Sequence, residues 1–354
     1  MKTINYFALI DASYYNGYKK KIKSICDSFN FLGIKSISKI YTNTSFIGLL
    51  IFQIKIIFSN SNIIILRTVG ERTFILLPSL ILSRLMKKKI ILEIPSPLSK
   101  LVFEKKNKTI KDKIYINLNN YFLSLIFLIS NNSIIYDYET DKYNLNKNKF
   151  IFSTNAVVSN HFTPNERKKI LTNNLNFIFI GYLSNWHGIE KFIYSIYEFT
   201  NHNKTININL NIYGKIEKNY QKKIFNLINK YHLKNHIKIN ESVYSIEMIN
   251  KILSDNHIGI GSMSLKSSKS YFRSELKLRE YCAAGIPFLF NANDIDFKNF
   301  KYALNIDSEN INIDKILSWY QKLPKDTPKI MHEYAKQYLD YNVKIKKLNN
   351  DLKL

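Results

Sequence analysis

The stretch Ser274 to Asn291, SELKLREYCAAGIPFLFN, restricts the fold of this 354-residue chain more than any other. Ser274 is of a type that caps a helix N-terminus, Gly285 can end the same helix in the left-handed conformation, and Pro287 bars continuation before the apolar run Phe288 to Phe290. The segment therefore reads as a short helix feeding directly into a strand. Lys277 is out of place there. A cation in the first turn opposes the helix dipole by roughly 0.3–1 kcal/mol, a cost recovered if an anion sits over the exposed N–H groups. Glu280, one turn on, shares a face with Lys277. The pair sets a phosphate partner beside a hydroxyl acceptor, which suits a nucleotide sugar. The alternative is a solvated lysine, since all but six of the 52 basic residues are Lys.

The rest of the chain alternates apolar strand candidates with helical sequence. Residues 176–199 run as a strand, a loop opening at Gly181 and an amphipathic helix beginning near Gly188. Strand candidates follow at 206–214, 237–241 and 257–263, and others precede at 4–10, 63–66, 89–94, 131–137 and 150–155. Such alternation predicts an α/β fold with two Rossmann-like sheets. At this length two domains are expected, 1–160 and 161–328, with residues 159–174 as the linker and 329–354 as a closing helix. The first strand leads into a turn at Tyr15-Asn16-Gly17 and a helix over 18–31. Gly17 permits close backbone approach to a ligand, or simply a tight turn. The G-x-G-x-x-G fingerprint is missing, which argues against NAD. Glu93 closes the strand at 89–94 and is followed by Pro95 and Pro97. It stands where open α/β sheets place their ligand crevice, unless it is a strand-end charge facing solvent.

The 274–287 pattern, S-x-L-K-x-x-E-Y-x-A-x-G-x-P, resembles the donor-binding signature of GT-B glycosyltransferases of the family 4 type. The segment at 176–199 is similar to the first strand, loop and helix of the same donor domain, including the Trp186-His187-Gly188 form of some bacterial polysaccharide transferases, and Glu93-Ile94-Pro95 resembles a segment those enzymes carry. The resemblance implies a GT-B fold, two Rossmann-like domains facing across a cleft, and transfer of a sugar from a nucleoside diphosphate donor with retention and without a bound metal. It implies Glu93 and Lys277 as catalytic residues. Gly181, His187, Arg273, Ser274, Lys277 and Glu280 would contact the donor, and Asn16 and Gly17 would form a loop at the cleft. The closing helix would return to the first domain. Two departures matter. The Glu expected eight residues before Glu280 is Phe272, so Arg273 or Ser270 would have to meet the donor sugar. The Arg and Lys that usually follow the donor-domain glycine correspond to Tyr182 and His187, and His187 is either a phosphate contact or structural. No His precedes His161.

Cys26 and Cys282 lack metal-ligand spacing, and no cofactor or metal is expected. No apolar window is long enough to span a membrane. The net charge of +25 is concentrated in residues 1–113, where 20 basic residues face six acidic ones. A basic face over Lys19–Lys23, Arg84–Lys89 and Lys100–Lys113 would hold the protein on an anionic inner-leaflet surface, and codon bias is the other account. The partners expected are a UDP- or GDP-sugar and a glycan or lipid-linked acceptor. A nucleotide-sugar 2-epimerase of GT-B shape and a basic nucleic-acid binder are the alternatives. Clustered Arg and a nucleic-acid motif are missing, so no nucleic acid is expected.

Overall fold

The structure, a computed structural model, describes residues 2–10, 15–68, 70–95, 109–136, 147–164, 173–203, 205–242, 244–263, 274–306 and 311–354. They form two compact units, Met1–Thr154 with Tyr341–Leu354, and Asn155–Asp340.

The first unit is built on strands β1 (Thr3–Leu9), β2 (Lys35–Tyr41), β3 (Ile63–Arg67), β4 (Lys89–Ile94), β5 (Asn132–Ile135) and β6 (Phe150–Phe152). They lie in the order β2-β1-β3-β4-β5-β6, every pair parallel. Helices α1 (Tyr15–Phe31), α2 (Phe46–Ile57), α3 (Leu77–Leu85) and α4 (Ile110–Ile129) make the crossovers. The period of two along each strand sorts side chains between the two faces. Phe7, Leu9, Ile64, Leu66, Ile90 and Leu92 pack under Leu49, Phe52, Leu80 and Ile126 of α2, α3 and α4. The alternate positions, Tyr6, Arg67 and Glu93, project from the opposite face, where Lys21 of α1 meets them. Right-handed crossovers require this division, because α1 steps from β1 outward to β2 while the other three helices step the other way.

Glu93 is the hub of that second face and is 1% exposed. Its Oε2 accepts from Arg67 at 2.7 Å and from the Tyr6 hydroxyl, and its Oε1 meets Lys21 at 3.1 Å and accepts from the Tyr136 hydroxyl at 2.8 Å. Arg67 stacks on Tyr18 and Lys21 lies over Tyr136. Burial pushes the Glu93 pKa up, but Arg67, Lys21 and the two hydroxyls outweigh it and hold the carboxyl well below the ordinary range. Burial pushes Lys21 down to about 8 against the pull of Glu93. One carboxylate thus holds two buried cations.

The second unit has strands β7 (Asn174–Ile180), β8 (Asn207–Tyr213), β9 (Ile237–Asn240), β10 (Ile258–Ile260), β11 (Phe288–Phe290) and β12 (Ala303–Asn305), in the order β12-β11-β10-β7-β8-β9 and again parallel. Its helices are α5 (Ile189–His202), α6 (Lys218–Lys230), α7 (Ile246–Ser254), α8 (Leu276–Ala283), α9 (Ile313–Lys322) and α10 (Thr327–Tyr334), and α11 (Tyr341–Leu352) closes the chain. The chain leaves β7 toward β8 and β9, then returns to the other side of β7 as β10. The crevice at the carboxyl ends of β7 and β10 is therefore the topological switch point of this sheet.

The unit boundaries differ from those expected. Residues 155–162 join the second unit, because Val157 N–H donates to Leu339 O at 3.0 Å, Ser159 bonds Asp340 and Phe162 enters the core. The return to the first unit comes at Tyr341 rather than at residue 329. Met331, Ala335 and Leu339 are in the second core, and the Cys282 thiol donates to Met331 O. Helix α11 packs with α1, and Lys89 Nζ donates to Leu352 O at 2.7 Å.

Glu93→Gln removes the charge that holds Lys21 and Arg67, and should destabilise the protein by about 3–5 kcal/mol in urea unfolding. Because the folded pKa lies below the unfolded one, this stabilisation is complete above roughly pH 5 and is lost as pH falls. The variant should show a flatter acid limb than the wild type. A loss under about 1 kcal/mol would mean the hub contributes little.

Candidate functional site

Helix α8 stands over the switch point, and its seat begins with glycines. A Cβ on Gly259 would lie 2.5 Å from the Tyr281 ring, and one on Gly261 would lie 2.8 Å from Leu278, so two positions of β10 and its exit stay bare to let the helix lie against the sheet. Tyr281 crosses that gap. Its hydroxyl donates to Ile178 O or Ile260 O, at 3.2 and 3.3 Å, and accepts from Ile180 N at 3.1 Å, binding α8 to β7 and β10 at once. Burial raises the Tyr281 pKa far above its usual value, so the ring stays a neutral donor. Gly285, at φ +74°, ends the helix as expected and leaves no room for a side chain beside Pro328.

A buried guanidinium fixes the rotation of the helix. Arg279 donates to Asp294 through two nitrogens, to Asp296 at 2.5 Å, to Asn155 O at 3.3 Å and to Glu275 O at 3.2 Å. The carboxylates hold its proton firmly in spite of burial. Asp294-Ile295-Asp296 is an Asp-x-Asp sequence, a pattern used elsewhere to hold metals; here both carboxylates are engaged by Arg279.

The first turn itself departs from the sequence expectation. Ser274 is not the cap, because Glu275 is the N-cap residue. Ser274 Oγ accepts from Asn155 N at 2.6 Å and its carbonyl accepts from the Asn155 amide, so it ties the helix entry to the start of the unit. The Glu275 side chain does not cap either. Its Oε1 accepts from Ser262 N at 3.2 Å, and its Oε2 lies 3.5 Å from Lys277 Nζ. Lys277 is not splayed into solvent. Its side chain is 11% exposed and its Nζ sits 3.8 Å from the centroid of Phe179, near the end of β7. Phe179 also meets His187 edge-on at 5.0 Å. His187 is buried and stacked on Trp186, its Nδ1 accepts from Ser184 N at 3.1 Å, and its carbonyl accepts from Met263 N at 2.7 Å. The Gly181–Gly188 loop is thus tied to the strand exit after β10. Gly181 itself has φ +120°, and its carbonyl lies so close to Gly214 that a Cβ there would approach within 2.3 Å.

Gly181, His187, Ser274, Lys277 and Glu280 therefore belong to one region, the head of α8 and the β7 exit, with Glu280 partly exposed one turn beyond Lys277. Arg273, Ser270 and Phe272 lie outside the described residues. Glu93 is enclosed by its own unit's partners. Asn16 and Gly17 are not in a turn, since α1 already begins at Tyr15 and Gly17 lies in its first turn without a left-handed φ. Sequence reasoning missed Glu275, Arg279, Phe179 and the Asp294–Asp296 pair. The Asp-x-Asp spacing was the available signal for the last; nothing local announces that Arg279 turns toward residues 15 and 17 positions away.

No family model matches the sequence, and no curated protein matches it. Solved structures do. The catalytic domain of starch synthase IV from Arabidopsis thaliana, bound to ADP and acarbose, matches with a TM-score of 0.70 over 100% of this chain and 99% of that one, at 9% identity. A glycosyltransferase from Rickettsia africae matches with a TM-score of 0.69 over 99% and 98%, at 13% identity. HepE from Anabaena, in complex with UDP and glucose, matches with a TM-score of 0.67 over 100% of both chains, at 12% identity. The two parallel six-stranded sheets with their helices are the GT-B fold.

Gly259→Ala should push Tyr281 off the sheet and lower stability by about 1–3 kcal/mol, as overpacking does. Arg279→Met, which strands two carboxylates, should cost about 3–5 kcal/mol. Urea unfolding of both variants checks this; a neutral Gly259→Ala would mean that α8 is not pressed against β10.

Proposed function

We propose that this protein is a retaining, metal-independent glycosyltransferase that moves a sugar from a UDP- or GDP-sugar to a growing cell-surface glycan, lipid-linked in its acceptor form. The observation that carries the reading is the head of α8. A lysine in the first turn is held against Phe179 at the switch point of the sheet, by a helix whose rotation is locked through Arg279 and Tyr281. A nucleoside diphosphate matches that arrangement. The amides of the first turn and Lys277 would take the distal phosphate, and Glu280 would accept from the ribose hydroxyls.

Breaking the bond between the anomeric carbon and the phosphate oxygen puts negative charge on the leaving diphosphate. Donors fixed in advance where that charge grows lower the barrier without reorganising during the reaction. Lys277 is suited to this by its low exposure, since an ammonium in a partly dry site acts more strongly than one in water. Glu275, 3.5 Å from Nζ, offsets the lysine until the phosphate arrives. Phe179 and the Gly181–Gly188 loop shape the adjoining wall. The solved complexes of the fold with UDP and glucose and with ADP and acarbose support a nucleotide-sugar partner for this protein.

Turnover of a panel of UDP- and GDP-sugars, read as nucleoside diphosphate release with and without glycan acceptors, tests the reading. Lys277→Ala and Glu280→Ala should each lower the rate on the order of a hundredfold. Glu280→Ala should leave the melting temperature nearly unchanged. The deeper Lys277 should cost roughly 1 kcal/mol on truncation. EDTA should leave transfer intact. Wild-type rates in both variants would remove the site from the mechanism, and interconversion of a UDP-sugar without transfer would mark an epimerase instead.

A further inference from the structure

The layer formed by α2, α3 and α4 is apolar on both sides. Its inner side packs on the first sheet through Leu49, Phe52, Leu80 and Ile126. Its outer side should be polar in a helix that faces water, and is not. On α2, Ile47, Leu50, Ile51 and Ile54 are exposed, flanked by Phe46 and Phe58. On α3 the usual arrangement is inverted: Ser79 and Ser83 are buried while Ile81, Leu82 and Leu85 point outward. On α4, Ile114, Leu118, Tyr121, Leu125 and Leu128 recur every three or four residues along the exposed side, while Asn119 is buried and accepts from Phe74 N at 3.1 Å. Because α2 packs beside α3 and α3 beside α4, the three outer sides form one surface.

Composition alone does not account for it. Helix α1, on the other face of the same sheet, exposes Lys19, Lys20, Lys23 and Asp27 and buries Ile22, Ile25 and Phe29 in the ordinary way. Among the described residues of the second unit, exposed large apolar side chains such as Tyr182, Phe225 and Met248 lie far apart in the sequence. A contiguous apolar surface of this kind marks a contact with something apolar. Its charge says what. Lys55, Arg84, Lys87 and Lys113 are exposed on these helices or their ends, while α2 and α3 contain no acidic residue and α4 contains one, Asp112. Apolar side chains ringed by lysines and an exposed tyrosine match a lipid surface with anionic headgroups, where the aliphatic groups enter the acyl boundary and the ammonium groups reach phosphate. Among the described residues no helix is long and apolar enough to cross a membrane.

We propose that the outer face of α2, α3 and α4 docks on an anionic bilayer by shallow insertion. This also separates the basic groups: among the described residues Lys19, Lys20 and Lys23 lie across the sheet from Arg84 and Lys87, Lys21 and Lys88 are buried, and Lys89 Nζ reaches Leu352 O on the α1 side, so only Arg84 and Lys87 of the stretch 84–89 belong to the docking side; Lys100–Lys108 lie outside the described residues. The inference goes beyond the donor-site reading and stands whether or not transfer is observed.

Vesicle co-sedimentation with phosphatidylcholine, alone or mixed with phosphatidylglycerol, tests it. The wild type should bind the mixed vesicles, and salt should weaken binding without abolishing it, because only the ionic part is screened. The triple variant Ile47→Gln/Leu85→Gln/Leu128→Gln, at positions 68%, 73% and 70% exposed, should keep its circular dichroism and melting temperature while losing binding by on the order of tenfold or more. An environment-sensitive dye at Leu85→Cys should shift to the blue on the mixed vesicles, and the same dye at Lys20→Cys should not; Cys26 and Cys282 are buried and do not compete. Equal sedimentation of wild type and triple variant, or a shift at both dye positions, would overturn the proposal. So would absence of vesicle binding together with a wild-type dimer that the triple variant loses, which would assign the face to a second copy of the chain.

Discussion

Everything at the candidate site depends on the buried contact between Arg279 and the Asp294–Asp296 pair. A guanidinium removed from water is costly unless all of its donors are matched, and here two carboxylates and two backbone carbonyls match them. The geometry that satisfies those donors admits one rotation of α8. Lys277, two residues before Arg279, is thereby directed onto Phe179, and Tyr281, two residues after it, onto the backbone of β7 and β10. Leu278, between them, fills the space that Gly261 leaves. The first unit uses the same device with the charges reversed, one carboxylate at Glu93 gathering Arg67 and Lys21. In each case a buried ion cluster ties the carboxyl end of a parallel sheet to the helix that covers it.

Much of the architecture was legible because it rests on local rules. Apolar runs with glycine and proline punctuation located ten of the twelve described strands, all but β2 and β12, and Gly285 and Pro287 marked the end of α8. Lys277 stood out because it breaks the dipole rule, and such violations tend to sit where function overrides local preference. What was not legible is long-range. Ser274 looked like a cap, yet its hydroxyl is engaged by Asn155, 119 residues earlier in the chain. Glu93 looked like a group at an open crevice, but Tyr6, Lys21, Arg67 and Tyr136 converge on it from four other parts of the first unit. Asn16-Gly17 has turn-forming residues, and the helix simply begins before them.

The charge distribution shows the same limit in another form. Counting basic residues over 1–113 cannot say which side of a sheet each occupies, and the sheet places the α1 lysines opposite to those around α3. The exposed apolar side chains of α2, α3 and α4 are likewise invisible to counting, because a helix that is apolar all round reads in sequence as a buried one. Only the placement of Ser79, Ser83 and Asn119 on the inner side shows that the apolar surplus is turned outward.

The central claim is that the head of α8 receives a nucleoside diphosphate. A crystal structure of the protein with UDP or GDP tests it most directly. The account predicts the distal phosphate within hydrogen-bond reach of Lys277 Nζ and the first-turn amides, with the ribose hydroxyls on Glu280. A nucleotide bound elsewhere, with Lys277 still resting against Phe179 and Glu275 and the head of the helix bare, would contradict it.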